Sequence, residues 1–245
     1  MRQPERKSVV QKERFQGCMV CGKPIAYQKQ AVRRTCVICG GEQISNMVCS
    51  EGHFVCDACH GTGYVRAAVF LRESREKNPM QLFEQVAALP EIHLHGPEHH
   101  VLVPCVLLTA FRNAGGSLNI EDALIEAIHR GRKIPGGTCG YWGVCGAAAG
   151  AGIYASILLG TTPLQRETWS VPQTLVAECL RHLAKVGGPR CCKRTCRICI
   201  EVGAQFAEEQ FGVHMPTDAE PCSYFSLNRE CIHKDCPYFA IGIHY

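Results

Sequence analysis

The sequence predicts a mostly α-helical protein, with a small cysteine-knuckle module in front of an all-α domain. Three observations predict it. Seven cysteines and one histidine fall in four closely spaced pairs between Cys18 and Cys59. Beyond residue 65 apolar residues recur at helical spacing between asparagine, proline and glycine signals, while strand signals are few. The length of 245 residues suits one medium domain plus a small one. The expected boundaries are 1–17 for a basic flexible tail, 18–64 for the module and 65–245 for the helical domain.

In the tail Arg2, Arg6, Lys7, Lys12 and Arg14 stand with no apolar run behind them, which argues against a secretory leader. The module offers Cys18-x2-Cys21, Cys36-x2-Cys39, Cys49-x3-His53 and Cys56-x2-Cys59. Two residues between thiolates let one tight turn present both sulfurs to a tetrahedral ion, and eight ligands fill two closed zinc sites. Closed sites are structural, so the module is expected to fold on its metal. Gly22, Gly40 and Gly52 stand beside the pairs, where knuckle turns want positive φ. His60, next to Cys59, is an alternative ligand for the module but reads as solvated.

Seven helices are expected in the larger domain. The first covers 65–75, and Asn78-Pro79 supplies the cap and first turn of the second, to residue 89. Gly96-Pro97 opens the third, which carries Val101, Leu102, Val103, Leu107, Leu108 and Phe111 and ends at Gly115-Gly116. Asn119 caps the fourth, with Ile120, Leu124, Ile125 and Ile128 on one face. The others cover 143–159, 173–186 and 189–211, and the remainder to 245 reads as loops with a short β-element. Residues 134–165 carry no charge, yet proline, glycine and alanine leave the apolar part short of the ~20 residues a span needs. A buried central helix is predicted there.

The chain has 18 cysteines, in spaced pairs that suit chelation in a reducing cytoplasm better than disulfides. Those outside the module point to a second centre. Cys139 lies in a glycine-rich loop and Cys145 starts a helix, where the dipole favours a thiolate. Cys192, Cys196 and Cys199 share one helix face, beside Arg190, Lys193, Arg194 and Arg197. These bases would depress thiolate pKa values or hold an anionic substrate, unless the thiols are a buried stripe and the bases a solvated face. Cys222, Cys231 and Cys236-Pro237 are spaced by eight and four residues. Cysteine before proline recurs at iron–sulfur ligands, so these three suit a cluster completed from elsewhere. His93, His95, His99 and His100 crowd around Glu98, a candidate base or orienting group.

Three resemblances add to this reading. The block from Cys49 through His53 and Cys56 to Cys59 resembles the central portion of RING-type fingers. That implies treble-clef or RING-like knuckles with interleaved sites, pairs one and three sharing a metal, against a sequential alternative. Cys139, Cys145-Gly146-Ala147, Gly150 and the later cysteines resemble the C-GCAxxG-C-C redox-active proteins. The whole chain is similar to cysteine-rich proteins of anaerobes with no assigned activity.

The expected function is redox or sulfur-transfer chemistry by a metal-binding enzyme. Cys139, Cys145, His95, Glu98, His99 and His100 would be catalytic, and Cys192, Cys196, Cys199, Cys222, Cys231 and Cys236 would hold a [4Fe–4S] cluster. Its partner would be an anionic small molecule or a redox protein, with no membrane involved. The alternative is a zinc-finger adaptor for a protein or for nucleic acid, the latter gripped by Lys12, Arg14, Lys23, Lys29, Arg33 and Arg34. A net charge of +4 does not by itself argue for nucleic acid.

Overall fold

A computed structural model describes residues 17–239, so the basic tail before Gly17 and residues 240–245 lie outside the described chain. Two antiparallel strands open it, β1 (Ile25–Thr35) and β2 (Glu42–Cys49). Their register runs from Ile25 opposite Cys49 to Thr35 opposite Glu42. This hairpin carries the knuckles. Cys18 and Cys21 precede β1 and so lie beside Cys49 at the end of β2, while Cys36 and Cys39 occupy the turn at the far end. The chain then returns along the hairpin, and Val37 N–H donates to Phe54 C=O at 2.9 Å.

Helices follow without a further strand among the described residues. They are α1 (Asp57–His60), α2 (Gly63–Glu73), α3 (Pro79–Ala87), α4 (Glu98–Asn113), α5 (Ile120–Gly131), α6 (Thr138–Tyr141), α7 (Gly146–Leu159), α8 (Ser170–Val186) and α9 (Cys192–Phe211). Local chemistry explains several starts. Asn78 Oδ1 accepts from Met80 N–H and Gln81 N–H, with Pro79 in the first turn, and Asn119 caps α5 in the same way. The four-residue helices α1 and α6 are too short to show a period.

The centre is α4, buried from Glu98 through Phe111. It packs against α2, α3, α5, α7 and α9. Leu102, Val103, Val106, Leu107 and Leu108 are fully buried, and each such side chain contributes about 1.5–3 kcal/mol. Together they outweigh the cost of Pro104 inside the helix, about 3 kcal/mol. α7 lies across α4 and also meets α5, α8 and α9. At the crossing a Cβ on Gly150 would come 2.8 Å from the His100 carbonyl oxygen, so only glycine lets the two backbones approach.

The uncharged 134–165 stretch is accordingly built around α7, inside the bundle. No described helix is long and apolar enough to cross a membrane. Among the described residues the short β-element expected after residue 212 is not there. The described part of that segment forms 3-10 turns at Phe225–Leu227 and His233–Asp235, where bonds such as Leu227 N–H to Tyr224 C=O satisfy the backbone locally.

Candidate metal centres and the central cavity

Among the described residues three groups bring ligand atoms within 4.8 Å of one another, and two lie in the module. One unites Cys18, Cys21, Cys49 and His53; the other unites Cys36, Cys39, Cys56 and Cys59. The order is interleaved, pairs one and three together and pairs two and four together, so the sequential alternative falls. Sulfurs of Cys21 and Cys49 stand 3.5 Å apart, and those of Cys39 and Cys56 3.8 Å. A tetrahedral ion with bonds of about 2.3 Å to sulfur draws its thiolates to ~3.8 Å of each other. Main-chain N–H groups of Val20, Glu51 and Cys56 point at Cys18, Cys49 and Cys36 sulfurs, each at 3.4 Å. Burial pushes the Cys36 and Cys49 thiols up, but hydrogen bonds from backbone and neighbouring side chains outweigh it and bring both to about 6. Gly22, Gly40 and Gly52 do turn with positive φ, 69°, 70° and 81°.

The third group is His60, His93 and Glu98. Glu98 is the first residue of α4 and its side chain is 0% exposed. His60 Nδ1 lies 3.2 Å from Glu98 Oε2, which corrects the expectation of a solvated ring. His93 donates its main-chain N–H to Oε1 at 3.0 Å and sets its Nδ1 3.4 Å from that oxygen. Burial raises the Glu98 pKa, but His60 and His93 on its oxygens and His99 nearby outweigh this and hold it well below the ordinary carboxylate range.

The remaining imidazoles are committed to other partners. His99 Nδ1–H donates to Gly96 C=O at 3.1 Å and its Nε2 accepts from Lys193 Nζ at 3.0 Å. His100 Nδ1–H donates to Ile134 C=O at 3.1 Å. Burial, then the Arg190 charge, lowers the His95 pKa to about 4. Burial likewise pushes His99 well down and His100 down.

A cavity of ≈ 600 Å³ separates the module from the helices. His60, His93, His95, Cys139, Arg190 and Cys192 are among its walls. On the other side of His95 and Asn228 a second, small cavity is lined by Cys191, Cys222, Cys231 and Cys236, together with Arg194 and Arg197. N–H groups of Arg194, Tyr224 and His233 point at the Cys191, Cys222 and Cys231 sulfurs at 3.4–3.5 Å. Burial raises the Cys191 and Cys222 thiols, with Arg194 and Arg197 respectively opposing it.

The twelve thiol, imidazole and carboxyl residues expected at one centre in the helical domain are therefore divided. Cys222, Cys231 and Cys236 meet Cys191, whose side chain no pattern in the sequence singled out. Cys139 and Cys192 face the larger cavity, along with His95 and His100. Cys196 and Cys199 are buried in the apolar core, where desolvation raises their thiols well above the usual value. Cys192 is likewise pushed to about 12 by burial, despite Arg190. Cys145 caps α7, but burial outweighs the Ala147 and Ala148 N–H groups and Thr195, so its pKa rises instead of falling.

Lys193, Arg194 and Arg197 in the basic run of α9 do not form a solvated face. They are buried struts. Lys193 holds the His93 carbonyl, Arg194 the carbonyls of Gly187 and Pro189, and Arg197 the Glu84 carboxylate. His60 and Cys191 stood outside the expected site residues, and His93 was placed in the histidine cluster but given no role of its own. The signal available for the first was its place beside a knuckle ligand, which fixes it at the module's inner edge.

No curated protein and no solved structure matches the chain, and no likeness to the C-GCAxxG-C-C proteins is found. A family of unknown function, DUF5714, matches residues 67–239. That stretch takes in the end of α2 and all seven helices from α3 to α9, with Glu98 on α4 and all four cysteines of the small cavity, and leaves the knuckles outside. With most of its length matched, the chain belongs to the DUF5714 family.

Proposed function

We propose that the protein is a cytoplasmic iron–sulfur redox enzyme. Cys191, Cys222, Cys231 and Cys236 would hold a [4Fe–4S] cluster beside the substrate cavity, and zinc in the two knuckle sites would keep a RING-like module folded. One observation carries the reading: four cysteines from α9 and the carboxy-terminal turns line one small cavity. Their sulfurs are not among the groups whose ligand atoms all lie within 4.8 Å, which is compatible with a centre larger than one tetrahedral ion, although the cavity of ≈ 20 Å³ would have to widen to admit a cluster. Backbone N–H groups at three sulfurs and two buried arginines suit a net negative centre. Bound there, the cluster would supply single electrons. The chain's own part would be to shield it and to hold substrate in the neighbouring cavity, which Cys192 lines one residue after Cys191.

The test is anaerobic purification followed by iron and acid-labile sulfide analysis. Wild-type protein and the Cys196→Ser and Cys199→Ser variants should carry both, with broad visible charge-transfer absorption. Cys222→Ser and Cys231→Ser should lose them. Colourless wild-type protein containing zinc alone would end the proposal.

A second reading, an adaptor with structural metal only, is favoured by Val37, Ile38 and Ile44. These side chains are exposed on the knuckle and hairpin of the module. An adaptor would keep its partner when Cys222 is replaced; a redox enzyme would lose turnover.

A further inference from the structure

The His60–His93–Glu98 group has more in it than an ion pair. Its three residues come from three separate places: the end of α1, the loop before α4, and the first turn of α4. Their ligand atoms lie within 4.8 Å of one another. Glu98 reaches the group from the buried side, whereas His60 and His93 belong to the wall of the ≈ 600 Å³ cavity. His93 Nδ1 is buried and makes no hydrogen bond of its own, although Glu98 Oε1 is 3.4 Å away. A buried nitrogen held only by so long a contact is poorly satisfied, and a metal ion would satisfy it better. Gly96 keeps the place open, since a Cβ there would overlap both the Glu98 carboxylate and the His60 ring.

Two imidazoles and one carboxylate are the donor set of open metal sites: His2Glu in catalytic zinc sites, and the facial triad of non-haem iron. Three protein ligands leave coordination positions vacant, and two of the three, His60 and His93, line the cavity. The ligand class follows from the same wall. Arg190 stands there with its guanidinium 5.0 Å from the centre of the Tyr27 ring, and a guanidinium pairs with a carboxylate through two parallel hydrogen bonds.

We infer that His60, His93 and Glu98 bind one divalent first-row transition-metal ion whose open positions receive an organic carboxylate held by Arg190. This centre contains no sulfur and stands apart from the four-cysteine cavity, so it does not depend on the cluster.

Cobalt(II) is the probe, added to full-length protein whose thiolate sites are already filled. Difference spectra against the protein before addition remove the absorption of every other centre. One further equivalent of cobalt should bind, with weak visible bands and no sulfur-to-cobalt charge transfer. His60→Ala and His93→Ala should lose that equivalent while keeping their far-ultraviolet circular dichroism and knuckle metal. Oxalate should shift the cobalt bands, and Arg190→Ala should weaken the oxalate response by ~10-fold or more. The metal site is overturned if wild type binds no more cobalt than His93→Ala, or if the added cobalt shows thiolate charge transfer. An unchanged spectrum in oxalate overturns the open carboxylate position. Iron and sulfide content in the Cys222→Ser comparison is independent of all these outcomes.

Discussion

His95 Nε2 stands 3.2 Å from Asn228 Oδ1, and this contact joins the walls of the two cavities. The other nitrogen of the ring accepts the main-chain N–H of Cys192 at 3.5 Å. Oδ1 can only accept, so the neutral ring carries its proton on Nε2. One imidazole thus ties the start of α9 to the carboxy-terminal turns, between the four-cysteine cavity and the larger one.

Asn228 is buried and its Oδ1 also accepts the Glu230 N–H at 3.1 Å. Asn228→Ala removes the acceptor of two donors, of which His95 Nε2–H keeps only the longer 3.4 Å approach to Glu230 Oε2, and a buried group without its partner costs about 1–3 kcal/mol. The variant should be destabilised by at least that range in urea denaturation of the reduced protein. A midpoint equal to wild type would show that the contact bears no weight.

Gly146 tests how tightly the histidine cluster is seated. A Cβ at this position would overlap the His100 imidazole, whose Nδ1–H is fixed on Ile134 C=O. Gly146→Ala should therefore lower stability by about 1–3 kcal/mol, the usual range for overpacking. Gly140 is the control: it is helical, lacks positive φ, and a Cβ added there would meet nothing within 4 Å. Gly140→Ala should be neutral or slightly stabilising. Thermal denaturation of the two variants separates the outcomes, and equal melting would refute the packing argument.

These contacts show where the sequence stops being informative. Knuckle pairs were legible because two ligands on one turn are a local pattern, as were Asn78 and Asn119, whose caps act on the next three residues. The helix over α4 was legible from its apolar run. What a sequence does not state is which way a helix face turns. Cys192, Cys196 and Cys199 share one stripe of α9, yet the first lines the larger cavity and the other two enter the core. The residue that meets Cys222, Cys231 and Cys236 is Cys191, set outside the stripe as the α9 N-cap. His60 was misread because solvation was inferred from position alone, whereas α1 packs its ring onto Glu98 across 38 residues of chain.

Cys105 gives the pH dependence. It lies in the core on α4, and burial alone pushes its thiol from 9.0 to about 12. The unfolded chain releases this proton first, so it binds fewer protons than the folded chain between these values. Stability from this group is complete below the unfolded pKa and declines as pH rises through the window up to the folded one. Urea midpoints under reducing conditions should fall from about pH 9 upward, and Cys105→Ala should fall less steeply. Parallel curves for the two proteins would show that Cys105 does not carry the effect.

The interleaved knuckles make a counting prediction that no single substitution can make. Cys18 and Cys49 belong to one group, Cys36 to the other. The double variant Cys18→Ser/Cys49→Ser should lose one metal ion per chain, and Cys18→Ser/Cys36→Ser should lose two. Sequential pairing would reverse these numbers, because Cys18 and Cys36 would then share an ion. Native mass spectrometry reads the count directly. Acid should release both ions, because protons compete with the metal for every thiolate of the two groups. A chelator acting at neutral pH should remove the hairpin's ordered structure while leaving the α4–α7 core folded, because that core is packed from apolar side chains and contains neither knuckle group. Simultaneous loss of helix and hairpin signals in circular dichroism would instead make the metal a support of the whole chain.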